Sequence, residues 1–219
     1  VELAKLERGS GRLERAAEHL RAALTMLPGY ARALEQQALI EAARGRIAQA
    51  TATVRRAVTS TPSPDGGALL ADLLDRQGRK AEARRHRTAV DTLEARLRAN
   101  GFRVDAGLVL YRADQGIDPP ATVALARLAR AAAPSIEGDE ALGWALVRAG
   151  RCAEGARSLD RAGRLGSRDA LRFFYRGKAA ECAGNGAEMR AWYRRALTLD
   201  PSFSIRWAPV AERALAAAA

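Results

Sequence analysis

Apolar side chains recur in this sequence at fixed distances from six glycines, Gly11, Gly45, Gly78, Gly116, Gly150 and Gly184. Five residues after each glycine stands a small side chain: Ala16, Ala50, Ala83, Ala121 and Gly155, with Met189 the exception. Nine after it stands a larger group, Leu20, Val54, Leu125, Leu159 or Tyr193, with Arg87 out of line. Twelve after it come Ala23, Ala57, Val90, Leu128, Ala162 and Ala196. These offsets place the three positions on one face of a helix. The glycine ends the preceding helix in a left-handed conformation that costs it little. The small residue lets the two antiparallel helices approach closely. Pro28, Pro62 and Pro201, seventeen residues after their glycines, stop the second helix.

The glycines are spaced 34, 33, 38, 34 and 34 residues apart. A recurring period near 34 predicts stacked helix–turn–helix units. The two ends of the chain even share wording, EHLRAALTMLPGY at Glu18–Tyr30 and AWYRRALTLDPSF at Ala191–Phe203.

With these residues in view, the chain resembles the tetratricopeptide repeat family over nearly its whole length. The pattern appears in Leu142-Gly143, Gly150, Gly155, Leu159 and Ala162, and again in Gly177, Gly184, Tyr193, Ala196 and Pro201. The resemblance implies an all-α fold, a right-handed α-solenoid of helix–turn–helix repeats closed by a C-terminal capping helix. Three repeats are expected over residues 1–100, the first truncated and the third with an elongated second helix at Ala81–Ala99. Three more are expected over 101–204, followed by a cap over 205–219. The cap reads as a helix at Pro209–Ala218, with Trp207, Val210 and Leu215 available to cover the last repeat. Asp118 before Pro119-Pro120 reads as a helix start. Val1–Ser10 reads as entering midway through a first helix, so a longer native chain is expected.

Composition agrees with helix, since alanine dominates and leucine and arginine follow, residues that lose little on entering one. The formal charge of +11 raises the question of nucleic acid. Yet 33 of the 36 basic residues are arginine, a bias that reads as a GC-rich bacterial genome. The charge is also spread evenly along the chain, +6 over residues 1–100 and +5 over 101–219, where a nucleic-acid footprint would cluster. The densest run, Arg76–Arg87, contains Arg79, Lys80, Arg84, Arg85 and Arg87 without interleaved aromatics, and reads as a solvated helix face. No apolar run is long enough to span a membrane.

Catalytic chemistry finds no support. His19 and His86 occupy equivalent spots in separate repeats, far from a shared pocket, and no zinc spacing or nucleophile motif occurs. No cofactor is expected. Cys152 and Cys182 fall on helices that pack side by side, leaving open a disulfide, if the protein is exported, or two buried thiols in the cytosol, the default.

The resemblance implies that the first helix of each repeat lines a concave groove. Its inward residues are then Arg32, Glu35 and Leu39; Asp72 and Arg76; Glu140, Trp144 and Arg148; and Phe174, Lys178 and Glu181. Charged residues beside Trp144 and Phe174 suit an extended or helical peptide, unless those two rings pack between repeats. The groove lacks the Asn-containing clamp that holds chaperone C-termini. A non-catalytic scaffold for a partner protein or peptide is the leading reading. A nucleic-acid-binding array and the regulatory or sensory part of a larger protein are the competitors. Exposed Leu3, Leu6 and Leu13 lead us to expect self-association through the amino end.

Overall fold

The computed structural model describes residues 1–102 and 104–217. Thirteen helices occur among them: α1 (Glu2–Gly9), α2 (Leu13–Met26), α3 (Ala31–Ala43), α4 (Ile47–Ser60), α5 (Pro64–Arg76), α6 (Lys80–Ala99), α7 (Ala106–Gln115), α8 (Pro119–Ala132), α9 (Ile136–Arg148), α10 (Cys152–Ala162), α11 (Ala170–Cys182), α12 (Gly186–Leu199) and α13 (Ala208–Ala216). The first twelve form six helix–turn–helix pairs, an all-α repeat fold. Ala218, the expected last residue of the final helix, lies outside the described residues.

Each phasing glycine closes the first helix of a pair. At Gly45 φ is +76°, and the other five lie in the same left-handed region. The Gly45 amide donates to the Ala42 carbonyl and the Arg46 amide to the Glu41 carbonyl, so the last turn of α3 leaves few carbonyls orphaned. Where a proline follows, the second helix ends two positions before it, as at Ser60 before Pro62 and Leu199 before Pro201.

The chain folds as two compact units. The first consists of Val1–Ala95 with Leu199–Val210. Its main cluster is built from Ala38, Ala42, Ala50, Val54, Leu70 and Leu74, with Ala71 and Leu73 of α5 and Ala83 of α6. Alanine at the crossing points lets α3, α4 and α5 come close, and leucine and valine fill the space on either side. Buried Glu41 ties α3 to α4, accepting hydrogen bonds from Gln37 (2.9 Å), Gln49 (3.0 Å) and Thr53 (2.8 Å).

The second unit comprises Arg96–Thr198 and the chain from Ala211 on. Its centre is aromatic. Trp144 stacks on Tyr175 with centroids 4.4 Å apart, and Phe174 stacks on Tyr193 at 5.3 Å. The Leu-Gly element lets α10 lie close against α9, because a Cβ at Gly143 would lie 2.7 Å from the Leu159 side chain. Cys152 and Cys182 are joined by a disulfide that links α10 to α11.

The fourth pair departs from the expected phase. Ala121, Leu125 and Leu128 were read onto the packed face, but Leu128 is 67% exposed and the buried set is Thr122, Val123, Ala126 and Ala129. The cause is one extra residue in the turn. Ile47 begins α4 two residues after its glycine, whereas Pro119 begins α8 three residues after Gly116. Asp118 is the added residue, with φ +36° and its side chain accepting the Ala121 amide at 3.1 Å. A slip of one residue turns a helix by about 100°, enough to bring a new set of side chains inward.

Candidate partner-binding faces

In the first unit the expected inward residues come from α3 and α5. Arg32 is exposed, while Glu35 is buried and accepts the Ser63 hydroxyl at 2.6 Å. Ser63 also caps α5 by accepting the Gly66 amide, so one hydroxyl fixes the entry to α5 and the carboxylate beneath it. Burial pushes the Glu35 carboxyl above its ordinary value, against the Ser63 hydrogen bond.

One turn and more along α5, Asp72 and Asp75 stand three residues apart and therefore on one face. Arg87 of α6, the residue out of line in the repeat pattern, reaches both carboxylates. Arg206 donates to Asp72 at 2.6 Å from the non-helical stretch before α13. Beside it, Ile205 packs against the α3–α6 cluster. Asp72, Asp75, Arg76, Ile205 and Arg206 line a cavity of about 300 Å³. This face of α5 is thus already engaged by the chain's own Leu199–Val210 segment. Asp75, Ile205 and Arg206 were not among the expected site residues. Asp75 was readable as the (i, i+3) neighbour of Asp72, but nothing local to Ile205-Arg206 announces its seat.

The side chains of the basic run differ in their surroundings. Arg79 is paired with Glu82 through two 2.6 Å bonds, and Arg87 is turned to Asp72 and Asp75. Lys80, Arg84 and Arg85 remain exposed on α6. His19 lies on α2 and His86 on α6, and no group of three or more metal-ligating side chains occurs among the described residues. Burial and nearby Arg55 push the His86 imidazole below its ordinary value.

In the second unit the two expected aromatic anchors are not accessible. Trp144 and Phe174 are both 0% exposed and hold α9 against α11. The Trp144 indole donates to Asp114 at 2.8 Å, and the Arg148 guanidinium covers its ring from 5.6 Å. The physical reason is their volume. These rings fill the space that alanines and small gaps leave between successive repeats, so solvent and partner alike are excluded. Lys178 is half-buried and paired with Glu181 at 2.8 Å. Arg148 is exposed and donates to the Ala113 carbonyl at 3.0 Å.

Two adjacent carboxylates at the start of α9 are driven in opposite directions. Burial alone would push Asp139 up, but hydrogen bonds from Arg130 and Arg161 outweigh it and hold its carboxyl below the ordinary value. Arg164 adds a third guanidinium at 3.1 Å. Glu140 is paired with Arg172, at 2.6 Å. Its burial, with Asp169 and Glu137 adding like charge, pushes its carboxyl up to about 7.

No helix among the described residues is long and apolar enough to cross a membrane. Comparison with curated proteins finds no match. Among solved structures, a chain of the APC/C hetero-tetramer Cut9-Hcn1 is similar at a TM-score of 0.50 and 15% identity, covering 94% of this chain. This chain spans 39% of the length of that one, and the likeness is one of fold. A tetratricopeptide repeat protein from Parabacteroides merdae is 15% identical at a TM-score of 0.46, covering 99% of this chain and 88% of its own. The profile described as tetratricopeptide repeat matches residues 1–65 and 140–202, more than half of the sequence. The chain belongs to the tetratricopeptide repeat family.

Proposed function

We propose that this protein is a non-catalytic scaffold that binds a segment of a partner protein on the inward face of its first unit. Arrays of this family serve in general as protein–protein interaction scaffolds. The observation that carries the finer reading is the seat on α5. There a non-helical stretch of chain sets an apolar side chain, Ile205, beside an ion pair, Arg206 to Asp72. An apolar anchor beside a charge that selects its partner is the anatomy of a small peptide site. The pairing of Arg79 and Arg87 with carboxylates speaks against a phosphate-binding stripe on α6.

A photo-reactive amino acid placed at Arg32 or Arg76 tests this in nuclease-treated lysate of the source cell, with Arg56 of α4 and Arg85 of α6 as controls. Discrete protein adducts from the inward positions alone are expected. Equal adducts from all four positions, or material that disappears with nuclease, would refute the reading.

A further inference from the structure

The segment Leu199–Val210 is grouped with the first unit although it lies more than a hundred residues beyond it in sequence. It is a compact turn rather than a loose tail. Buried Asp200 accepts the Ser202 amide at 2.8 Å, and the Ser204 hydroxyl accepts the Trp207 amide at 3.1 Å. Phe203 is buried, Ile205 leans on the α3–α6 cluster, and Arg206 meets Asp72. The near end of the segment is equally well seated, since a Cβ at Gly11 would fall 2.2 Å from the Leu199 carbonyl oxygen. The segment therefore runs from the turn between α1 and α2 to the acidic pair on α5.

We infer that Asp200–Trp207 is a resident occupant of the binding face, and that the face exchanges it for a partner-protein segment carrying an aliphatic residue followed by arginine. This rests on the function proposed above and names the chemistry of its partner. Three observations support the exchange. The distal end of the seat is open to solvent in part, with Ile205 only partly buried and Arg206 and Asp72 retaining 20% and 22% of their side-chain exposure. A cavity of about 300 Å³ remains beside them, lined by Asp75 and Arg76, so a longer or bulkier segment has room. Arg87 stays on Asp72 and Asp75 from within α6, so only the place of Arg206 on Asp72 changes hands, and that place selects an arginine in the incoming segment. A tethered occupant lowers the apparent affinity for any rival by the fraction of time the face is open.

The test uses the full-length chain and a fluorescein-labelled peptide of residues 200–207, DPSFSIRW. Fluorescence anisotropy compares wild type, Ile205→Ser/Arg206→Ser, and that variant with Asp72→Asn added. The double variant should bind the peptide about tenfold or more tightly than wild type, because its own occupant is weakened. Adding Asp72→Asn, or replacing the arginine of the peptide by alanine, should each cost about tenfold, the worth of one charge-assisted pair. Equal binding by wild type and double variant would overturn the inference. So would no binding by a double variant that melts like wild type, or binding indifferent to the arginine. Should the double variant unfold, Arg206→Ala alone must raise peptide affinity at least about threefold, or the inference fails. A wild-type sedimentation coefficient that rises with concentration and falls on adding peptide would assign the face to a second copy and overturn the partner assignment. Because the peptide is the chain's own sequence, its failure to bind while Arg32 still crosslinks a protein sinks this inference and spares the scaffold reading.

Discussion

Replacing Gly177 by alanine sets local preference against tertiary packing at a single atom. Gly177 lies inside α11, where alanine is favoured over glycine by about 1 kcal/mol. A Cβ there, however, would sit 2.4 Å from both Cδ1 and Cε1 of Tyr193 and 3.4 Å from the Trp192 Cβ. Ordinary contact lies about 1 Å further out. Tyr193 has no way to yield. Its ring is fully buried and stacked on Phe174, and its hydroxyl donates to Glu181 at 2.6 Å. Burial and the Glu181 carboxylate push its phenol up, so it stays a neutral donor. The helices α11 and α12 must then separate. Overpacking of this kind costs about 1–3 kcal/mol, and disturbing the Phe174 stack adds about 0.5–1.5 kcal/mol. After subtracting the gain in propensity, Gly177→Ala should destabilise the protein by about 1–3 kcal/mol. Urea unfolding followed by far-ultraviolet circular dichroism reads this as a lower midpoint at unchanged slope. Gly186→Ala is the control, since its nearest neighbour is the mobile end of Arg190 at 3.4 Å. A Gly177→Ala protein as stable as wild type, or more so, would show that propensity outweighs the close approach and would refute the packing argument.

Glu140 predicts a pH dependence. Its folded value of about 7 lies above the ordinary 4.5, so its stabilisation is fully present below 4.5 and is lost as pH rises through 7. The whole effect is about 3 kcal/mol, and Glu140→Gln should flatten the fall in melting temperature between pH 5 and 8; a slope unchanged by the substitution would count against it. Asp139 carries the opposite sign, its contribution present above 3.8 and lost as pH falls through its depressed folded value. Asp139→Asn leaves Arg130, Arg161 and Arg164 without their shared carboxylate and should cost about 2–3 kcal/mol by denaturant titration at pH 7, discounted because all three guanidiniums are partly exposed. The disulfide closes a loop of sequence separation 30, so reduction should lower stability by about 3–4 kcal/mol in wild type and leave a Cys152→Ser/Cys182→Ser protein unaffected.

The helical repeat was legible because its signals are local. A glycine that must turn left-handed, a proline that cannot continue a helix and an alanine at a helix crossing each act within a few residues. Local rules failed where one residue was inserted. Asp118 before Pro119-Pro120 was legible as a helix start, yet offsets counted from Gly116 still placed Leu128 on the packed face, and the added Asp118 turned it outward. Side-chain destination was also beyond local reading. Trp144 and Phe174 occupy positions that the repeat pattern assigns to the inward face, but the gap between α9 and α11 is wide enough to swallow both.

By itself, then, the sequence determined the helix pairs, their phase and the family, all of which depend on spacing along the chain. Only the tertiary structure decided which carboxylates are shared, as Asp139 is among three arginines and Asp72 between Arg87 and Arg206. It alone brought Asp200–Trp207 onto the face of α5. The Arg206–Asp72 pair joins residues 134 positions apart, and no periodicity in the chain encodes any of these contacts. They follow from where the stacked helices leave an apolar edge and an unbalanced charge, a property of the assembled surface.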